Sequence, residues 1–228
     1  MSDDEAKRQA ARAALQYLPK SGVIGLGTGS TAELFVAEVA ELCRQGRDLV
    51  GVATSERTRR LAQSLGLKLL DDDGPWTIDV CVDGADEVSD RLDLIKGGGA
   101  SHAREKVVNR AAQFNVIIVD ESKLSTLLGT RCSLPVEVMP FGHASTAVQL
   151  ARFGQATLRS KQGTPVRTDG GNLVYDLRVA PLSDPEELDR QLCIIPGVIE
   201  TGLFLGRADV VLVGSTAGTR ELRAPLKR

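Results

Sequence analysis

Hydrophobic residues fall along this chain in two alternating rhythms. Residues 4–18 set Ala6, Ala10, Ala11, Ala14, Leu15 and Leu18 on one stripe with helical spacing, and Ser21-Gly22 breaks it. Val23 to Leu26 is a short apolar run, followed by a turn from Gly27 to Ser30. A helix is predicted from Thr31 to about Gln45, with Leu34, Phe35, Val39 and Leu42 facing inward. Strands at 49–53, 67–70, 77–82 and 115–119 alternate with helices at 55–65 and 100–113. Runs apolar without a polar face belong in a sheet covered on both sides. The alternation predicts an α/β fold with a Rossmann-like, mainly parallel sheet.

The pattern changes near Gly129. Leu134 to Met139 is bracketed by Pro135 and Pro140, residues 144–153 read as a helix, and Ala156 to Arg159 as a strand before a turn at Lys161-Gln162-Gly163. Asp169-Gly170-Gly171-Asn172 is a hairpin signal. Asp184 and Pro185 suit the N-cap and first position of another helix. Ala208 to Gly214 is again a buried, parallel-type strand. The expected organisation is therefore a Rossmann-like domain of residues 1–130 and 207–228, carrying a smaller inserted α+β lobe of residues 131–206.

Composition narrows the class. Of 228 residues, 42% are hydrophobic, enough for a packed core. Lys and Arg number 28 against 30 Asp and Glu, a net charge of −2 that argues against a nucleic-acid partner. No apolar run approaches the roughly 18 residues of a membrane span. The first residues lack the apolar block of a signal peptide, so no membrane partner and a cytoplasmic location are expected. The cysteines at 43, 81, 132 and 193 form no metal-ligand spacing and read as reduced and partly buried. With His102 and His143 the only histidines, no metal site is expected.

Four loops carry candidate chemistry, and each leaves the carboxyl end of a predicted strand, where open α/β sheets bind ligands. Gly25-Leu26-Gly27-Thr28-Gly29-Ser30-Thr31 opens a helix, and Ser30 with Glu33 has capping-box spacing. Its N–H groups, the positive helix end and the hydroxyls of Thr28, Ser30 and Thr31 suit an anion. It is neither a P-loop nor a full dinucleotide fingerprint, so a monophosphate fits better. Asp83-Gly84-Ala85-Asp86-Glu87 crowds three carboxylates into five residues, which repel unless compensated. Lys96-Gly97-Gly98-Gly99-Ala100 offers a cation and close-approaching backbone N–H groups suited to an oxyanion. It leads into a helix bearing Glu105, which on spacing alone reads as a surface residue pairing with Arg104 or a neighbouring lysine. Lys123 follows the fourth strand in Asp120-Glu121-Ser122-Lys123. An anion cradle, two lysines and several carboxylates favour acid–base chemistry on a small phosphorylated molecule.

GLGTGSTA, VDGADEV, LIKGGGASHAREK and DESK, in this order, resemble the ribose-5-phosphate isomerase A family, as do LPVEV, TDGGN and PGVIETGLF followed by ADVVLVG. The resemblance spans nearly the whole chain. It implies interconversion of ribose 5-phosphate and ribulose 5-phosphate without metal or organic cofactor, and a homo-oligomer, dimer or tetramer. It puts the catalytic base on Glu105 and the loop aspartates on Asp83 and Asp86. It puts the site lysine on Lys96, a further substrate lysine on Lys123, and a phosphate lysine on Lys7. The phosphate loop falls on Thr28, Gly29, Ser30 and Thr31; Gly84, Ala85, Gly97, Gly98 and Gly99 line the substrate. Phe141-Gly142-His143-Ala144-Ser145 and the polar tail through Arg228 depart from the family pattern. Alternatives on related folds are a sugar-phosphate sensor without the base, and a second enzyme reading, an amino-sugar phosphate deaminase using a histidine or an acyl-CoA transferase. Against these, Glu105 and Lys96 are both present, and His102 is expected on the helix surface.

Overall fold

The computed structural model describes residues 2–223; the end of the polar tail lies outside them. Along the chain come α1 (Ser2–Ala14), β1 (Ser21–Leu26), α2 (Ser30–Arg44), β2 (Asp48–Ala53), α3 (Glu56–Ser64), β3 (Lys68–Leu69), β4 (Ile78–Asp83), β5 (Glu87–Val88) and β6 (Leu94–Ile95). Then follow α4 (His102–Ala111), β7 (Ala112–Asp120), β8 (Leu134–Val138), α5 (His143–Leu150), β9 (Gln155–Leu158), β10 (Ser160–Lys161), β11 (Thr164–Pro165) and β12 (Leu173–Arg178). The last elements are α6 (Pro185–Cys193), β13 (Val198–Thr201), β14 (Leu203–Phe204), β15 (Val210–Ser215) and β16 (Gly218–Arg223). Ser21 and Gly22, expected to be a break, instead open β1, because they pair in parallel with Asp48 and Leu49 of β2.

The chain divides into two compact units. The first comprises the residues up to Ala85, Arg104–Lys123 and those from Gly206. It holds a seven-stranded sheet in the order β16-β15-β7-β4-β1-β2-β3, parallel except where β15 meets β16. This is the expected mainly parallel α/β sheet. Its order reverses between β1 and β4, and at such a switch point open α/β sheets bind ligands beyond the carboxyl ends of the strands. Leu26, Phe35, Val39, Val82, Ile118 and Leu212 are buried in its core.

The second unit comprises Asp86–Ala103 and Leu124–Leu205. The hydrophobic pattern puts the lobe at 131–206. The structure adds 86–103 and 124–130 to it, because β5 and β6 pair into a three-stranded sheet with β14, and Val88 bridges Leu124. Two-residue strands carry too little periodicity to be read from sequence. A four-stranded sheet in the order β13-β8-β12-β9 supplies the rest, over a core containing Val136, Val138, Leu150, Tyr175, Leu177 and Leu192. Buried Glu137 of β8 accepts from Thr168 Oγ1 and Asn172 Nδ2, both at 2.8 Å, which pins the Asp169–Asn172 turn to the sheet. Asp184 caps α6 by accepting from Glu187 N, with Pro185 at its start as expected. Cys81 is buried, whereas Cys193, at the end of α6, is exposed.

In the first unit α1 lies close on β15. Its inward face is alanine (Ala6, Ala10, Ala11, Ala14), and β15 presents Gly214. A Cβ at Gly214 would stand 1.9 Å from the Ala6 carbonyl oxygen, which is helix backbone and cannot swing away. Overpacking of this kind costs about 1–3 kcal/mol. We expect Gly214→Ala to lower the thermal unfolding midpoint by several degrees. A midpoint equal to that of the unsubstituted chain would show that α1 does not depend on this contact.

Candidate active site

In the first unit the turn after β1 is built around Asp83, the last residue of β4. Asp83 is buried, and its Oδ1 accepts from Thr28 N at 3.0 Å and Gly84 N at 2.7 Å. Gly27 must be glycine here, since a Cβ would lie 2.2 Å from that same oxygen. Gly29 has φ +120° and ψ 169°, a conformation that side-chain-bearing residues avoid, and it is the N-cap of α2. The expected Ser30–Glu33 capping box does not form. Gly29 O takes the Glu33 N–H, Glu33 pairs with Arg57, and Ser30 is left exposed in the first turn of α2. Thr31, beside it, is buried. The N-terminus of this 15-residue helix thus keeps its positive end at the loop.

Thr28 is more committed than its sequence suggests. Its Oγ1 lies 2.8 Å from Thr54 Oγ1, 2.8 Å from Ser55 Oγ and 3.1 Å from Thr58 Oγ1. Thr58 Oγ1 in turn donates to Gly27 O. This hydroxyl cluster, at the carboxyl end of β2 and the start of α3, lies outside the four loops that carry candidate chemistry in the sequence. The Ser55-to-Thr58 spacing of a helix cap is the signal that marks it.

Glu105 is 3% exposed, so it is not the surface residue its spacing implies. Arg104, the expected partner, pairs with Glu56 of α3 at 3.0 Å. Glu105 lies in the first turn of α4, whose positive end favours a carboxylate. The helix is seated on the sheet three residues later. Val108 packs with Val52, Ile78 and Cys81, in a space that exists because residue 25 is glycine. At the end of β7, Asp120 Oδ1 accepts from Ser122 N and Ser122 Oγ, turning the chain so that Lys123 stands half-buried just past the strand. The Lys123 ammonium makes no hydrogen bond or ion pair among the described residues. Lys7 is half-buried on α1.

The second unit holds the other expected residues. Asp86 Oδ2 accepts from Gly98 N at 2.7 Å, bringing the acidic loop to the triple-glycine turn. Lys96 is buried, its N–H donates to Gly202 O, and its Nζ stands 5.5 Å from the Phe204 ring centroid. Gly97 has φ +112°, and a Cβ there would stand 2.7 Å from His102 Nδ1. His102 is fully buried, not on the helix surface as expected, because the glycine leaves room for its ring. Gly98 and Gly99 are exposed. Arg159, which no motif marks, meets this turn while held by Asp176: Arg159 Nη1 donates to Gly97 O at 2.7 Å and Gly98 O at 3.2 Å.

Glu87, the third carboxylate of the acidic loop, has a different use. It is fully buried and accepts from Ser125 Oγ at 2.7 Å and from Gly129 N, Thr130 N and Arg131 N at 3.1 Å each. Its charge organises the 125–132 loop.

A family model described as ribose 5-phosphate isomerase A (phosphoriboisomerase A) matches residues 50–218. A ribose-5-phosphate isomerase A from Thermomicrobium roseum is 48% identical over 225 residues, covering 97% of this chain and 95% of that protein. One from Desulfatibacillum aliphaticivorans is 44% identical, covering 98% and 99%. Among solved structures, a D-ribose-5-phosphate isomerase in complex with phospho-erythronic acid superposes with a TM-score of 0.94 at 38% identity, covering 98% of this chain and all of the other. The chain belongs to the ribose 5-phosphate isomerase A family. It is an enzyme of the isomerase class, which overturns the sensor, deaminase and acyl-CoA transferase alternatives. Ribose 5-phosphate isomerase A from Methanocaldococcus jannaschii, at 37% identity and a TM-score of 0.91, covers 96% of this chain and 99% of its own. No helix among the described residues of this isomerase is long and apolar enough to cross a membrane.

Within this isomerase the Glu87 contacts make a prediction of their own. Burial pushes the Glu87 carboxyl up, but donors from Ser125, Arg131 and Cys132 outweigh it and hold it below the usual glutamate value. A lowered folded-state value stabilises fully above the unfolded-state value of about 4.3 and is lost as pH falls through the lower one. Glu87→Gln leaves buried donors facing an amide and should cost about 1–3 kcal/mol at pH 7. The difference from the unsubstituted chain should shrink as pH falls below about 4.3, read by urea unfolding at several pH values. A difference that stays constant down to the acid limit would contradict this role.

Proposed function

We propose that this enzyme interconverts D-ribose 5-phosphate and D-ribulose 5-phosphate through a cis-enediolate, with Glu105 as the proton-transferring base. In the aldose-to-ketose direction Glu105 takes the proton from C2, and the C2–H electron pair forms the C1–C2 double bond as O1 gains negative charge. The same carboxyl returns the proton to C1 while the O2 proton passes to O1, so no atom or electron is gained or lost. The observation that carries this reading is the burial of Glu105 in the first turn of a helix seated on β1 and β4. A buried carboxylate keeps water from competing for the transferred proton.

The other residues take roles that suit their surroundings. The N–H groups and hydroxyls of Gly29, Ser30 and Thr31 hold the phosphate at the start of α2, with Thr28 anchoring the cradle and Lys7 and Lys123 adding charge. The phosphate then supplies binding energy remote from the reacting carbons. Lys96 and the backbone of Gly97, Gly98 and Gly99 face the enediolate oxygens, and Gly84 and Ala85 line the sugar. Asp83 or Asp86 moves the proton between O4 and O1 that opens the furanose ring, and Asp83 is preferred. A relative's complex with phospho-erythronic acid, a phosphorylated four-carbon sugar acid, supports a phosphorylated sugar as the substrate. The reaction so described uses no metal or organic cofactor. Family membership favours a homo-oligomer, a dimer or a tetramer, working in the cytoplasm.

Glu105→Gln preserves shape but removes the base. We expect ribulose 5-phosphate formation to fall about 10²–10⁴-fold or more with KM little changed. A variant turning over within tenfold of the unsubstituted enzyme would overturn the assignment.

A further inference from the structure

We propose that Arg159, held by Asp176, is a positioning residue that aims the backbone donors of the Lys96-Gly97-Gly98-Gly99 turn. The proposal rests on the reading of that turn as the donor set for the enediolate.

The turn does not hold its own shape cheaply. Gly97 has φ +112°, and Ala100, which carries a side chain, has φ +59°. Such a backbone persists only where its surroundings over-determine it. Inside the turn, Ala100 N donates to Gly97 O at 3.0 Å. From outside it, Lys96 N donates to Gly202 O and Ser101 Oγ to Gly99 O, and the glycine peptides are held from two sides. On one side Asp86 Oδ2 accepts from Gly98 N; on the other Arg159 Nη1 donates to both Gly97 O and Gly98 O.

The two carbonyls that Arg159 takes are not arbitrary. A peptide group is planar and trans, so its C=O and N–H point in opposite directions. The Gly97 carbonyl belongs to the same peptide group as the Gly98 N–H, and the Gly98 carbonyl to the same group as the Gly99 N–H. A cation on both oxygens therefore turns both N–H groups away from itself and polarises them as donors. One of these N–H groups is already engaged with Asp86. The other, on exposed Gly99, is the donor that the enediolate requires.

The guanidinium is itself fixed. Arg159 Nε donates to Asp176 Oδ2 at 2.9 Å and Nη2 to Asp176 Oδ1, a bidentate pair. Asp176 lies on β12, and the Arg159 N–H continues the β9 pairing by donating to Val174 O at 2.8 Å. The Arg159 side chain is only 16% exposed. With one edge of the fork taken by Asp176, Nη1 is left directed at the turn. Lysine supplies the charge but not a planar group that serves both sides at once.

The test uses the full chain carrying Arg159→Met, Arg159→Lys or Asp176→Asn, each checked by circular dichroism and thermal melting. Steady-state kinetics with ribose 5-phosphate are combined with inhibition by 4-phosphoerythronate, which mimics the enediolate, and by inorganic phosphate, which does not. Arg159→Met should lower kcat about 10–100-fold, short of the loss from deleting a direct oxyanion donor. KM and phosphate inhibition should shift less than about threefold, while affinity for 4-phosphoerythronate falls in step with kcat. Arg159→Lys and Asp176→Asn should show the same split to a smaller degree. If Arg159→Met does not fold, those two carry the test by the same criterion. A folded variant with kcat unchanged, or one that weakens phosphate and 4-phosphoerythronate alike, would overturn the positioning role. Failure of the underlying reading looks different: the unsubstituted chain would not form ribulose 5-phosphate, or Glu105→Gln would retain full turnover.

Discussion

The Asp83 carboxylate is the interaction on which the first unit's site depends. By accepting N–H groups from Thr28 and Gly84, it joins the turn leaving β1 to the turn leaving β4, at the point where the sheet order reverses. The join needs a glycine at 27, because the carboxylate fills the place of its side chain. It also leaves the α2 N-terminus uncapped by any side chain. A helix start without its own cap is a standing set of donors, and an anion is the partner that satisfies them.

Three acids within five residues would be costly if they shared one environment. They do not. Asp83 is answered by backbone N–H groups beside the β1 turn, Asp86 by the Gly98 N–H, and Glu87 by the 125–132 loop. One short motif thereby anchors three separate pieces of backbone, and donors of its own at each carboxylate offset the repulsion that its spacing suggests.

Much of this was legible in the sequence. The β-branched runs marked the sheet, the glycine clusters marked the turns, and Asp184-Pro185 marked the start of α6. What stayed hidden depended on the partner across space. Glu105 and His102 look like surface helix positions because helical spacing does not register that Gly25 and Gly97 have left room beside the helix. Ser30 followed by Glu33 looks like a capping box, but Gly29 and Arg57 claim its two ends. Arg159 and Asp176 carry no local signal at all: each is an ordinary strand-side residue until the β9–β12 pairing brings them together. The lobe boundary shifted for a related reason, since β5, β6 and β14 are too short to show a period.

The placement of β15 has a consequence for how the chain is made. This strand sits between β7 and β16 and packs on the alanine face of α1, so α1 waits for a strand made long after it. Val116 pairs with Val210 only after the whole intervening lobe has been synthesised. Until then the part of α1 that meets β15 and one edge of β7 stay uncovered, although α1 already has α2 and β7 to pack on; this is a non-local closure of the kind that slows folding and exposes nascent chains to aggregation. The small residues that let α1 lie so close also make its provisional apolar surface modest, which limits what a half-made chain can stick to.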